Sequence, residues 1–209
     1  MKGVVVAGKT VTGKTSERRE ALRTRLIDIA EARIAEAGIA SIKARDLARR
    51  AECAVGAIYN VFEDINDIVI AVNGRTFRHL GAAVAASLEG HEDKDPSERL
   101  ILMSNAYLDF AAAHPNRWRT LFDLRMSTDM DVPGWYVEAL GQLFGIIAGP
   151  VRECFPDLGD ADVELMTRAL FSSVHGIVLL GLEKRISAVP PDHLRRMIAL
   201  VLTEATKKS

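Results

Sequence analysis

Two cysteines in 209 residues, Cys53 and Cys154, make neither a disulfide framework nor the paired spacing of a zinc site, so reduced thiols are expected. The five histidines, at 79, 91, 114, 175 and 193, show no three- or four-residue pairing and no Glu-x-x-His. No metal is therefore expected. There is no Gly-x-Ser-x-Gly and no evident Cys–His pairing, so the chain offers no catalytic residues and implies no cofactor. No apolar run reaches the roughly 18 residues of a membrane span. The longest uncharged stretch, Ala169 to Leu182, is 14 residues long, holds Ser172, Ser173 and His175, and reads as a core helix. Strand-like alternation is missing beyond residue 7, as are internal repeats.

What is present is an ordinary globular composition, 48% hydrophobic and 26% charged, which excludes a disordered or collagen-like chain. A net charge of −1 conceals an asymmetry. Residues 1 to 62 hold 12 Lys and Arg against 7 Asp and Glu, and the remainder holds 15 against 21. A basic first third on an acidic remainder points to a polyanionic partner for the first part alone. Val4 to Ala7 is too short for the apolar core of a signal peptide and is followed by Lys9 and Lys14, so a cytoplasmic location is expected.

Helical periodicity runs through most of the chain, and an all-α fold is expected. Residues 1–16 lack it and are read as a flexible basic tail; residues 17–65 and 66–209 are read as two domains. In the first, Leu22, Leu26, Ile29, Ala30, Ile34 and Ala37 share a face, and Gly38 ends that helix. Short helices are expected over 43–50 and 55–62, and longer ones over 66–88, from Pro96 to before His114, 115–125, 134–155, 160–185 and 191–207. The last carries one apolar stripe. The one before it carries two, Val163–Met166–Leu170–Val174–Ile177–Gly181 and Leu165–Ala169–Gly176–Leu180, and so needs a partner as well as its own domain.

Gly8 to Thr15 matches the phosphate-binding pattern Gly-x4-Gly-Lys-Thr, in which backbone N–H groups cradle phosphates, Lys14 reaches them and Thr15 ligates magnesium. That machinery requires a parallel sheet. One four-residue strand candidate precedes the motif and none follows it, so the favoured reading is a chance match in a tail that touches DNA phosphates nonspecifically.

Residues 42–62 have the pattern of a helix-turn-helix. Leu47 and Ala48 face inward, Ala51 to Ala54 make the turn, and Val55, Ile58 and Phe62 anchor the second helix. Gly56, Ala57, Tyr59 and Asn60 are left outward, the first two small enough for deep seating in a major groove and the last two able to hydrogen-bond phosphate or base edges. Val55, at the head of this helix, is counted with that DNA-facing set.

The long helix ending at Gly38, Arg-Asp-Leu-Ala-Arg-Arg-Ala at 45–51, Val-Gly-Ala-Ile-Tyr at 55–59, Phe62 and the helix near Asp67-Ile68 together resemble the DNA-binding domain of the tetracycline-repressor-like (TetR) regulators. The likeness spans about residues 18–75. Four positions depart from the family's habit: Glu52 for a frequent Gly, Ala54 for a Ser N-cap, Val61 for a His and Ile65 for a Lys. Phosphate contacts are accordingly expected from Arg18, Arg19, Lys43 and Arg45. His114-Pro115, Trp118, Leu121-Phe122, Trp135 and Ser172 to Gly176 look like a C-terminal domain type of that family named for Trp, His and Gly. The resemblance implies a homodimer through the last two helices and a repressor released from a pseudo-palindromic double-stranded DNA operator by a small-molecule effector. Met103, Tyr107, Trp118, Phe122, Trp135, Phe144, Phe171 and His175 are the expected effector-lining residues, with Tyr107, Trp118 and His175 supplying polar contacts. A lone histidine in such a helix more often satisfies a structural hydrogen bond. Two alternatives stay open at this point: a helical small-molecule-binding protein with a vestigial helix-turn-helix, and a nucleotide-binding protein acting through residues 8–15.

Overall fold

The computed structural model describes residues 10–123, 133–183 and 189–207, with side chains from residue 15 onward. The described residues are helical throughout, with no strand: α1 Thr10–Ala37, α2 Ala44–Arg50, α3 Val55–Tyr59, α4 Ile65–Ala86, α5 Pro96–Ala113, α6 Pro115–Asp123, α7 Gly134–Cys154, α8 Asp160–Leu182 and α9 Pro191–Ala205. A single 3-10 turn, Ile39–Ser41, follows α1.

The termini of these helices have local causes. Gly38 adopts φ 72°, a conformation that favours glycine, and its N–H still bonds the Ile34 carbonyl at 2.8 Å. Asp64 caps α4 in a reciprocal arrangement with Asp67, whose carboxylate accepts from the Asp64 N–H at 2.9 Å. Asp95 accepts from the Ser97 N–H at 2.9 Å, and Pro96 occupies the first turn of α5, where no N–H is needed.

The start of α1 differs from the expectation for a tail over residues 1–16. Thr10 to Ser16 continue the helix, because extending an existing ladder adds a hydrogen bond per residue without a new nucleus. The segment lacks an apolar period, so periodicity does not find it. Residues 1–9, including Gly8 and Lys9 of the phosphate-loop pattern, lie outside the described residues.

Two apolar clusters meet on α4. Leu26, Ile34, Leu47, Ile58, Phe62, Ile68 and Val72 form the first, and Phe77, Leu80, Met103, Tyr107, Trp118, Leu170 and Ile198 belong to the second. Polar contacts tie the clusters together: Arg75 on α4 reaches Asp28 at 2.6 Å and Glu31 at 2.9 Å, and Arg117 on α6 reaches Glu31 at 2.9 Å. Among the described residues, α8 alone has the length and apolarity of a membrane-crossing helix, with mean hydropathy 1.5. Its Val163, Thr167, Leu170, Val174 and Val178 pack into the bundle, while Leu165 and Leu180 are 66% and 64% exposed.

Candidate DNA-reading face and effector cavity

The helix-turn-helix is held from below. Leu47, Ala48, Ala51, Ile58 and Phe62 are all buried. Asp46 accepts from Arg49 at 2.6 Å and from Arg50 at 2.9 Å, with Arg33 at 3.4 Å. The two hydrogen-bonded arginines hold its carboxyl below the ordinary range. At the end of α2 the Cys53 N–H bonds the Ala48 carbonyl at 3.0 Å and the Glu52 N–H bonds that of Arg49 at 3.3 Å. These are the two bonds of a Schellman stop, which places Glu52 at φ 53°. Neither Lys43 nor Ala54 makes a side-chain cap bond.

From that base α3 presents an open face. Val55, Gly56, Tyr59 and Asn60 are exposed and Ala57 is half-buried; Arg18, Arg19, Lys43 and Arg45 are exposed as well, and Arg19 borders one surface depression with Tyr59 and Asn60. Val55 was expected to anchor the helix along with Ile58 and Phe62, and it does not: it is 39% exposed. Three residues ahead of Ile58, it stands at the first turn, beyond the reach of the buried cluster. The helix is also shorter than expected, ending at Tyr59, with Val61 and Phe62 turning back through N–H bonds to the Ile58 carbonyl.

In the second cluster, α4, α5, α7, α8 and α9 line a partly open cavity of about 40 Å³. That is room for two or three waters at roughly 15 Å³ each. Its lining includes Met103, Tyr107 and Phe171 from the expected set. It also includes Val84, Leu100, Ser104, Leu143, Ile147 and Leu202, which sequence reasoning missed. These are aliphatic or small residues on ordinary core stripes, with no signal to separate a cavity wall from packed core.

Trp118, Phe122 and His175 form a polar-aromatic cluster behind the Tyr107 wall. The buried Trp118 Nε1 donates to the Tyr107 hydroxyl at 2.9 Å, and that hydroxyl lies 2.7 Å from His175 Nδ1. Burial pushes its pKa far above the ordinary phenol range, so the hydroxyl stays protonated and shares one hydrogen bond with the imidazole. Phe122 lies 4.2 Å from the His175 ring centroid and Phe171 stacks on it at 5.8 Å. Burial among these rings lowers the His175 pKa.

The remaining two expected residues lie elsewhere. Phe144 faces an outer groove between α7 and α8 of about 520 Å³. Trp135, at the start of α7, stands against Gly74 of α4 and borders a surface depression shared with Arg19, Tyr59 and Asn60. Its place is beside the helix-turn-helix. Of the phosphate-loop motif, Thr10 to Thr15 are the first residues of α1 and do not form a loop. Among the described residues, no three His, Cys, Asp or Glu side chains gather as a metal site would require.

An exposed second helix on a helix-turn-helix, joined by one long helix to an all-helical bundle with a small cavity, is the layout of a ligand-responsive transcriptional regulator. The chain belongs to the tetracycline-repressor-like family: the model of the "Tetracyclin repressor-like, C-terminal domain" matches residues 100–204. That match does not bear on the Trp-His-Gly type. Solved structures of the same fold include a protein of unknown function from Rhodococcus sp. RHA1, 23% identical, covering 88% of this chain and 94% of that one with TM-score 0.70. RolR in complex with resorcinol is 21% identical over 93% of this chain and 97% of its own, with TM-score 0.63. The transcriptional regulator FadR from Bacillus subtilis, in complex with stearoyl-CoA, is 20% identical over 86% and 96%, with TM-score 0.61. A search of curated protein sequences finds no match.

Proposed function

We propose that this protein is a cytoplasmic, homodimeric transcriptional repressor, without catalytic activity, that leaves its operator when a small molecule occupies the bundle. The observation that carries this reading is the position of α6. On one side its Trp118 donates to Tyr107, a wall of the cavity, at 2.9 Å. On the other, Asn116 Nδ2 donates to the Ala35 carbonyl of α1 at 2.9 Å, next to the Arg117–Glu31 pair. Displacing the Tyr107 wall therefore moves an element seated directly on the DNA-reading unit, and linkage makes effector and DNA weaken each other.

Val55, Gly56, Ala57, Tyr59 and Asn60 enter the major groove, and Arg18, Arg19, Lys43 and Arg45 supply the salt-dependent part of affinity. Leu165 and Leu180 on α8, with Met197, Leu200 and Val201 on α9, are exposed apolar side chains that a second copy covers. This sets two α3 helices about 34–36 Å apart, one turn of duplex. Relatives crystallised with resorcinol and with stearoyl-CoA support a small-molecule effector as the trigger.

The test is selection of bound fragments from a random duplex DNA pool near physiological salt, followed by sequencing. An enriched inverted repeat is expected, and Tyr59→Ala should lose most of that binding. Repeated failure to enrich any sequence, including from protein refolded free of co-purified ligand and at low salt, overturns the reading.

A further inference from the structure

Two phenyl rings separate the small inner cavity from the much larger outer groove. Phe171, a wall of the cavity, meets Phe144, a wall of the groove, edge to face with centroids 5.2 Å apart and planes at 76°. On its other side the Phe144 ring carries the Arg168 guanidinium at 5.3 Å. The partition is therefore two rings thick, and its outer member, Phe144, lines a groove of about 520 Å³ into which that ring can turn.

The groove's shape and charge define what fits. Val137, Gly141, Phe144, Ala148 and Arg152 lie three or four residues apart on α7 and form a single row, about 22 Å long at 1.5 Å per residue. A Cβ on Gly141 or Gly145 would meet nothing within 4 Å, so these glycines leave the groove open beside the α7 backbone. The charges at the rim are already matched: Arg152 pairs with Asp160 at 2.8 Å and Arg168 with Glu164 at 2.7 Å. Two arginines and two carboxylates leave the lining with no net charge, so nothing in the groove draws a head of either sign.

We propose that the cavity and the groove are one effector channel gated by Phe144, and that its ligand is an uncharged single-chain molecule. The chain lies along the glycine row, its tail turns the Phe144 ring aside to reach the inner cavity, and its neutral polar head rests at the Arg152–Asp160 pair. This rests on the effector-responsive reading above and adds to it the ligand class and the route.

The experiment uses the full chain and a series of 1-alkanols from hexanol to dodecanol, read by thermal shift and by Trp118 fluorescence. Affinity should rise about fourfold per methylene, as expected for burial of a chain, and dodecanoate should bind at least tenfold more weakly than dodecanol. Gly145→Leu, which fills open space on a helix that tolerates leucine, should weaken dodecanol at least tenfold. Phe144→Ala should strengthen hexanol by opening the partition. The proposal is overturned by affinity that is flat with chain length, by dodecanoate binding as tightly as dodecanol, or by Gly145→Leu leaving binding intact. It is also overturned if that variant changes the oligomeric state, since the groove is then the seat of a second copy. The regulator reading fails separately: Gly145-dependent dodecanol binding that leaves the operator complex intact supports the channel and removes the release mechanism. Release by a molecule that Gly145→Leu does not affect does the opposite.

Discussion

The Trp135 ring lies so close to Gly74 that a Cβ on the glycine would stand 2.4 Å from Trp135 Cζ3. This joins the start of α7 to the middle of α4, one residue from the buried Asn73, whose Nδ2 donates to the Thr120 carbonyl of α6 at 3.1 Å. Asn73 and Gly74 thus register α6 and α7 against the helix that leads from the helix-turn-helix. Gly74→Ala gains up to about 1 kcal/mol of helix propensity but forces the indole off α4. The expected result is a red-shifted Trp135 emission with stability changed by less than about 1 kcal/mol, since both effects are of that order. An unshifted emission spectrum would show that the ring and the helix are not in register contact.

Tyr107→Phe tests the polar link between cavity wall and α6. The hydroxyl is the acceptor for the buried Trp118 N–H and is hydrogen-bonded to His175 Nδ1. Its removal strands a buried indole donor, which costs about 1–3 kcal/mol. Urea unfolding should show a lower midpoint at unchanged slope. A midpoint equal to that of the parent would mean the indole has another partner.

His175 gives the stability a definite pH slope. Burial among Tyr107, Trp118, Phe122 and Phe171 depresses its folded pKa below the ordinary imidazole value of about 6.5. Between those two values the unfolded chain binds the proton and the native chain does not, so stability falls as pH drops below about 6.5 and levels once the folded imidazole protonates. His175→Gln should remove this component. The comparison is the unfolding free energy of parent and variant from pH 8 to pH 5, and parallel curves would refute the assignment.

The residues that were legible in sequence are those whose role is set by near neighbours. Leu47, Ala48, Ile58 and Phe62 are buried as their spacing demands, and Gly38 stops α1 because its backbone needs φ 72°. Helix register against a distant helix leaves no such local trace. Trp135 and Phe144 are both aromatics on α7, yet one rests on α4 and the other on the outer groove. Their nine-residue separation on one helix says nothing of which neighbour lies on each side. Val55 misled for a related reason: apolar spacing assigns a face, but a five-residue helix ends before that face is covered.

Glu52 shows a local rule broken in the sequence and strained in the structure. The resemblance to tetracycline-repressor-like regulators marks this position as a frequent glycine, and the Schellman stop after α2 holds Glu52 at φ 53°. A side chain in that left-handed region costs about 1–2 kcal/mol. Glu52→Gly removes the strain and gives back roughly 0.4–1 kcal/mol through the freer unfolded chain, so a net stabilisation of up to about 1 kcal/mol is expected from these opposing terms. The same change deletes a negative charge from an exposed turn beside the reading helix, so affinity for any duplex should rise, and rise more at low salt than at high. Thermal unfolding and salt-dependent binding to a nonspecific duplex check the two effects independently. A destabilised variant would mean that the glutamate side chain contributes contacts exceeding the backbone strain.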